Sequence, residues 1–211
     1  MKKSNAKEKI CGLASYAVLT VLTVAACWFF AGRYGVFGAN MDWISQHSVF
    51  PEYFRQQFYK TGQFFPEYAA NIGGGQNIYN FSYYGLYNPI VLIAYLLPFV
   101  KMSDYLMAAS VICLAVSVCL LYGWLKKRGF STEIALGVAV LFLLAGPMIY
   151  QSCHQIMFVQ YMPFLLMAFS GVDRYWEKGK TGLYTLGVFL MILTSFYFSI
   201  AGMAALFLYG W

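Results

Sequence analysis

The chain has 211 residues, of which 61% are hydrophobic and only 10% charged, whereas soluble domains carry about a quarter charged residues. That excludes an ordinary soluble enzyme and leaves a membrane protein. The net charge of +6 does not point to nucleic acid, because no polar domain carries a basic stripe; in a membrane chain it reports orientation.

Crossing a bilayer core of about 30 Å takes roughly 20 apolar residues in a helix. The first candidate span is residues 10–32, ICGLASYAVLTVLTVAACWFFAG, and further candidates are 104–125, 132–150, 157–172 and 183–209. The Lys-rich start followed by VAAC at 24–27 also fits a lipoprotein signal ending at Cys27. The apolar continuation WFFAG favours an uncleaved first helix instead. Cysteines at 11, 27, 113, 119 and 153 form no CxxC pair and fall mostly inside apolar runs, so they read as small apolar fillers.

Lys2, Lys3, Lys7 and Lys9 precede the first span, Lys126, Lys127 and Arg128 follow the second, and Arg174, Lys178 and Lys180 follow the fourth. With one crossing per span all ten fall on one side, which predicts a cytoplasmic amino terminus. The region 33–103 then forms a large extracellular loop, and both histidines, His47 and His154, face outward.

Most of that loop, 33–88, is far longer than most connections and rich in Tyr and Phe, so it is expected to fold and to carry function. Phe50, Phe54 and Phe58 recur at helical spacing, predicting an amphipathic helix whose apolar stripe rests on the bilayer interface. Pro51 lacks a backbone donor and predicts a bend or a helix start nearby. Asp42 reads as a helix N-cap or as a functional carboxylate; in an α-helix it shares a face with Gln46, not His47. Glu52 and Glu67 read as solvated. Gly73, Gly74 and Gly75 suit either a plain hinge or close approach of backbone to a phosphate or sugar. The run 89–100, bounded by Pro89 and Pro98, is too short to span and reads as a re-entrant or interfacial helix. His154 is a structural residue or an anion-binding one.

The order of these features, from MDWISQHSVFPEYFRQQF through the glycine cluster and YYGLYNPIVLIAYLLPF to HQIMF at 154–158 and LTSFYF at 193–198, resembles the amino-terminal part of the YfhO family of bacterial membrane proteins. The resemblance covers nearly the whole chain, although family members are several times longer. It implies a relative of the GT-C glycosyltransferases. The fold it implies is an all-α polytopic transmembrane bundle of about five spans, with an outer-face amphipathic helix and a re-entrant or interfacial helix. Residues 1–211 would form a single transmembrane domain, the amino-terminal part of a longer protein. The function it implies is sugar transfer from a polyprenyl-phosphate carrier to a cell-envelope glycopolymer such as lipoteichoic acid, at the outer face. Asp42 maps onto the essential carboxylate, and Gln46, His47, Arg55, Gly73, Gly74, Gly75 and His154 are the candidate substrate-binding residues. Expected partners are the lipid-linked donor, the polymer acceptor and membrane lipid. No cofactor is firmly implied; a divalent metal at Asp42 is compatible, but no second carboxylate stands at ligand spacing. The alternatives are a lipid or polysaccharide transporter or flippase, or a non-catalytic envelope assembly partner. Transporters place ionisable residues within their spans, and these spans are almost free of them.

Overall fold

A computed structural model describes the backbone at residues 2–34, 37–38 and 42–211, and the side chains of these residues from 12 onward except at 34. The side chains of Lys2, Lys3, Lys7, Lys9 and Cys11 therefore lie outside the described residues.

Helix α1 (Lys2–Tyr34) has 33 residues and is about 50 Å long at 1.5 Å per residue. Its buried seam is Ser15, Leu19, Thr23 and Cys27, a four-residue period of mostly small side chains that allows close approach to a neighbouring helix. That neighbour is α4 (Met102–Lys127), and Tyr16 meets Tyr122 edge-on at 5.0 Å. The other faces of α1 expose Leu13, Val18, Trp28 and Phe29, as a lipid-facing helix does.

The turn after α4 leads to Ser131, whose hydroxyl accepts from Ile134 N–H at 3.3 Å and caps α5 (Thr132–Leu144). The segment read as one span breaks at Ala145 and continues as α6 (Gly146–His154), bent by 54°. Pro147 explains the break: it has no N–H to donate to Leu143 O, and its ring crowds that carbonyl. Helix α7 (Ile156–Lys178) follows.

The last apolar run departs from the expected span over 183–209. It forms α8 (Gly182–Thr194) and α9 (Phe196–Gly210), separated by Ser195 in extended backbone. Gly171 of α7 lies against the start of α8 at Leu183 and Tyr184, and Gly210 at the end of α9 lies against Val172. Both ends of the pair thus sit beside one stretch of α7. The tip reaches towards the other end of α7, where Phe198 meets Phe158 at 5.3 Å. The pair is a helical hairpin whose arms, 13 and 15 residues long, each rise only about 20 Å. Among the described residues three helices are long and apolar enough to cross a membrane, or four with the bent α5–α6 pair counted as one span. The all-α membrane bundle stands, with its fifth crossing replaced by this hairpin.

The bundle has two chemically different ends. Lys126, Lys127, Arg128, Arg174, Lys178 and Lys180 lie at the ends of α4 and α7. The opposite end carries the long loop. There α2 (Val49–Thr61) leads into a two-stranded antiparallel ribbon, β1 (Tyr68–Ala69) and β2 (Gln76–Asn77). A 3-10 helix (Ile78–Tyr84), α3 (Pro89–Ile93) and a second 3-10 turn (Ala94–Leu96) complete it.

The aromatic stripe of α2 does not rest on a bilayer surface. Phe54 is fully buried; Phe50 stacks on Phe81 at 4.9 Å, and Phe58 meets Phe64 at 4.4 Å and Tyr95 at 5.3 Å. The loop supplies enough aromatic surface of its own to cover the stripe, so it closes a second core with Leu106 of α4 and with Ile156 and Met157 of α7. Leu96 and Phe99 stay exposed on its rim, the apolar edge that an interfacial segment needs.

Candidate functional site

The chain enters the loop through a turn that is not α-helical. Residues Trp43–His47 form a π turn, and Ser48 closes it twice: its N–H donates to Trp43 O at 3.0 Å and its hydroxyl to the same oxygen at 2.8 Å. Asp42 lies within electrostatic reach of His47, while Gln46 is half-exposed. Asp42 sits in the N-cap position but makes no capping bond with its side chain.

His47 is 2% exposed. Its Nε2 lies 3.0 Å from Gln155 Oε1, at the corner between α6 and α7. A carbonyl oxygen there fixes Nε2 as the protonated nitrogen of a neutral ring. Nδ1 is then a buried lone pair, with no partner among the described residues. Burial pulls the imidazole below its ordinary range, opposed by the Gln155 bond and then by the charge of Asp42.

Asp42 also acts on Tyr83, whose phenol is held protonated chiefly by burial, then by Tyr84, Tyr197 and Asp42. The Tyr83 ring meets Phe196 at 5.9 Å and Tyr197 at 6.2 Å, both at the tip of the α8–α9 hairpin. Four parts of the chain therefore converge here: the π turn, the first 3-10 helix, the α6–α7 corner and the hairpin tip. A second buried polar pair supports the corner. Asn88 Nδ2 donates to Gln160 Oε1 at 2.6 Å, and Asn88 Oδ1 accepts from Ile90 N–H at 2.9 Å, capping α3.

The remaining predicted residues are spread more widely. Arg55 is 5% exposed and donates to Leu97 O at 3.0 Å, Val100 O at 2.9 Å and Glu52 Oε2 at 2.5 Å. Glu52, read from sequence as solvated, thus pairs with Arg55 and also accepts from Gln56 at 3.1 Å. Arg55 lines a cavity of about 350 Å³ together with Ser48, Glu52 and Lys101. Gly73, Gly74 and Gly75 form the ribbon turn, with φ of 59°, 80° and 99°, a left-handed run that glycine alone adopts cheaply. His154 directs Nδ1 to Tyr150 O at 2.7 Å and stacks on the Tyr150 ring at 4.1 Å. It is the neighbouring Gln155, not His154, that reaches His47.

A family model described as bacterial membrane protein YfhO matches residues 16–211. The chain belongs to the YfhO family. Neither curated proteins nor solved structures give a match. In this YfhO-family chain the matched region takes in the whole loop end and the hairpin. Sequence reasoning passed over Gln155, Tyr83, Asn88 and Gln160 as site residues; the first three lie inside the runs HQIMF and YYGLYNP that carried the family resemblance. Among the described residues no three His, Cys, Asp or Glu side chains gather as metal ligands. A divalent cation beside Asp42 would have one protein carboxylate and would rely on substrate oxygens for the rest.

Proposed function

We propose that this protein is a membrane glycosyltransferase that moves a sugar from a polyprenyl-phosphate carrier to a cell-envelope glycopolymer such as lipoteichoic acid. The amino terminus is cytoplasmic in this reading, so the loop end faces outward. The observation that carries it is Asp42: a half-buried carboxylate without a capping bond, within electrostatic reach of His47 and Tyr83, where four chain segments meet. An ordinary cap residue would have its oxygen on a backbone N–H.

In the proposed reaction an acceptor hydroxyl attacks the anomeric carbon. Asp42 takes the hydroxyl proton or orients the hydroxyl for attack. The bond from the anomeric carbon to phosphate oxygen breaks, and the polyprenyl phosphate leaves as an anion. Cationic donors stabilise that anion; Arg55 and Lys101 border one cavity, and His154 is the other candidate. Neutral His47 offers the Nδ1 lone pair as an acceptor, while Gln46 and Gly73–Gly75 remain candidates for sugar contacts.

The test is incorporation of labelled sugar from a polyprenyl-phosphate donor, in membranes carrying matched amounts of the protein or of its Asp42→Asn variant. Loss of transfer in the variant, with unchanged folding, supports the reading. Equal transfer would remove Asp42 from the chemistry.

A further inference from the structure

The basic end carries a feature that the loop-end chemistry does not use. A cavity of about 740 Å³ opens between the ends of α4 and α7, lined by Lys127, Arg128, Arg174 and Lys178, with Asp173 and Glu177 as the only lining carboxylates. Asp173 is already engaged. Its Oδ2 accepts from Trp124 Nε1–H at 2.7 Å, its Oδ1 accepts from the Tyr209 hydroxyl, and Arg128 stands 4.0 Å away. Arg128 lies 5.3 Å from the centres of both the Trp124 and Tyr209 rings. This cluster ties α4, α7 and α9 into one wall. Lys127, Arg174 and Lys178 are exposed and make no ion pair among the described residues.

The cavity does not end in polar surroundings. It shares Trp124, Lys127 and Ser170 with a second cavity of about 700 Å³ that runs along α1 and α4 over Thr20, Ile112 and Val116. An apolar trough at membrane depth therefore leads directly to a group of cations. Free phosphate would use the cations and leave the trough empty, and a neutral lipid would do the reverse. Basic pockets at the ends of transmembrane helices suit anionic headgroups, and tryptophan is favoured at headgroup depth.

We infer that this end of the bundle is a binding site for an anionic phospholipid, with its phosphate among Lys127, Arg174 and Lys178 and one acyl chain in the α1–α4 trough. The site lies at the end of the bundle opposite Asp42 and stands independently of the glycosyltransferase reading.

The experiment is native mass spectrometry of the purified protein titrated with phosphatidylglycerol against phosphatidylcholine. It is run on the wild type, on Lys127→Gln/Arg174→Gln, on Val116→Trp, and on Arg33→Gln/Lys60→Gln as a control of equal charge. Each removed cation weakens capture of the anionic headgroup about fivefold, about 25-fold for the pair. The control binds as wild type does, and Val116→Trp weakens binding by filling the trough. Thermal unfolding of each variant without added lipid confirms that it is folded. Equal phosphatidylglycerol binding by wild type and the Lys127/Arg174 variant overturns the proposal. So does full competition by glycerol phosphate, which would make it a soluble-phosphate site, or preferential displacement by a polyprenyl phosphate.

Discussion

Gly171→Ala probes the packing that carries the hairpin to the candidate site. A Cβ at Gly171 would stand 2.4 Å from Tyr184 N, 2.5 Å from Tyr184 Cα and 2.9 Å from Leu183 C. All three are backbone atoms, so no side-chain rotation relieves the contact. Carbon atoms pack at about 3.5–4.0 Å, and α8 must therefore retreat from α7 by about 1 Å. The seam cannot absorb this further along, because a Cβ on Gly187 would already meet Ala168 N at 2.8 Å. Overpacking of this kind costs about 1–3 kcal/mol, which lowers the melting temperature by about 2–4 °C per kcal/mol for a chain of this size. The reference is Gly137→Ala in α5, where the added Cβ meets nothing within 4 Å and the better helix former gains about 1 kcal/mol. Thermal unfolding in one detergent compares the two variants with wild type. The hairpin tip braces Tyr83, so under the proposed function sugar transfer should fall together with stability in Gly171→Ala. A Gly171→Ala protein as stable as Gly137→Ala would refute the close α7–α8 seam.

Other perturbations read other parts of the loop end. Asn88→Ala removes the α3 cap and strips Gln160 of its remaining partner. It should cost about 2–4 kcal/mol, and Asn88→Ala/Gln160→Leu should be more stable than the single variant, as a double-mutant cycle by thermal unfolding will read. His47 has a folded pKa below its ordinary value of 6.5, mainly through burial. Its contribution to stability is therefore complete above the unfolded pKa and is lost as pH falls from about 6.5 through the depressed folded value; His47→Gln should flatten that part of a melting-temperature profile measured from pH 7.5 down to 4.5. Arg55→Lys cannot hold Leu97 O, Val100 O and Glu52 together, since an ammonium lacks the planar fork. It should release the 97–100 segment, seen as faster limited proteolysis there with α4 still protected.

What the sequence made legible was whatever depends on composition and period. The apolar runs located α1, α4 and α7, and the grouping of basic residues located the end they share, because both follow from exclusion of charge from lipid. The hairpin was hidden for a physical reason. Residues 183–209 carry no charged side chain, and Ser195 at the reversal is one of several hydroxyl residues in the run; Ser, unlike Pro or Gly, is common inside helices. The partners of His47 were hidden because Gln155 is 108 positions away, and one sequence carries no record of that contact. The α2 stripe was read correctly as a stripe, but helical period cannot say whether lipid or the chain's own aromatics cover it.

The π turn between Asp42 and α2 follows from a residue the sequence did expose. An α-helix running unbroken from Asp42 to Thr61 would have Pro51 donate to His47 O, and proline has no N–H to give; its ring also crowds that carbonyl. The helix must restart, and it does so at Val49. The residues just before it cannot keep α register with α2, and the mismatch is absorbed by widening Trp43–His47 into a π turn that Ser48 closes with both its amide and its hydroxyl. Replacing Pro51 with alanine removes the obstacle to an unbroken α-helix, so the π turn that follows Asp42 depends on one missing backbone hydrogen nine residues further along the chain.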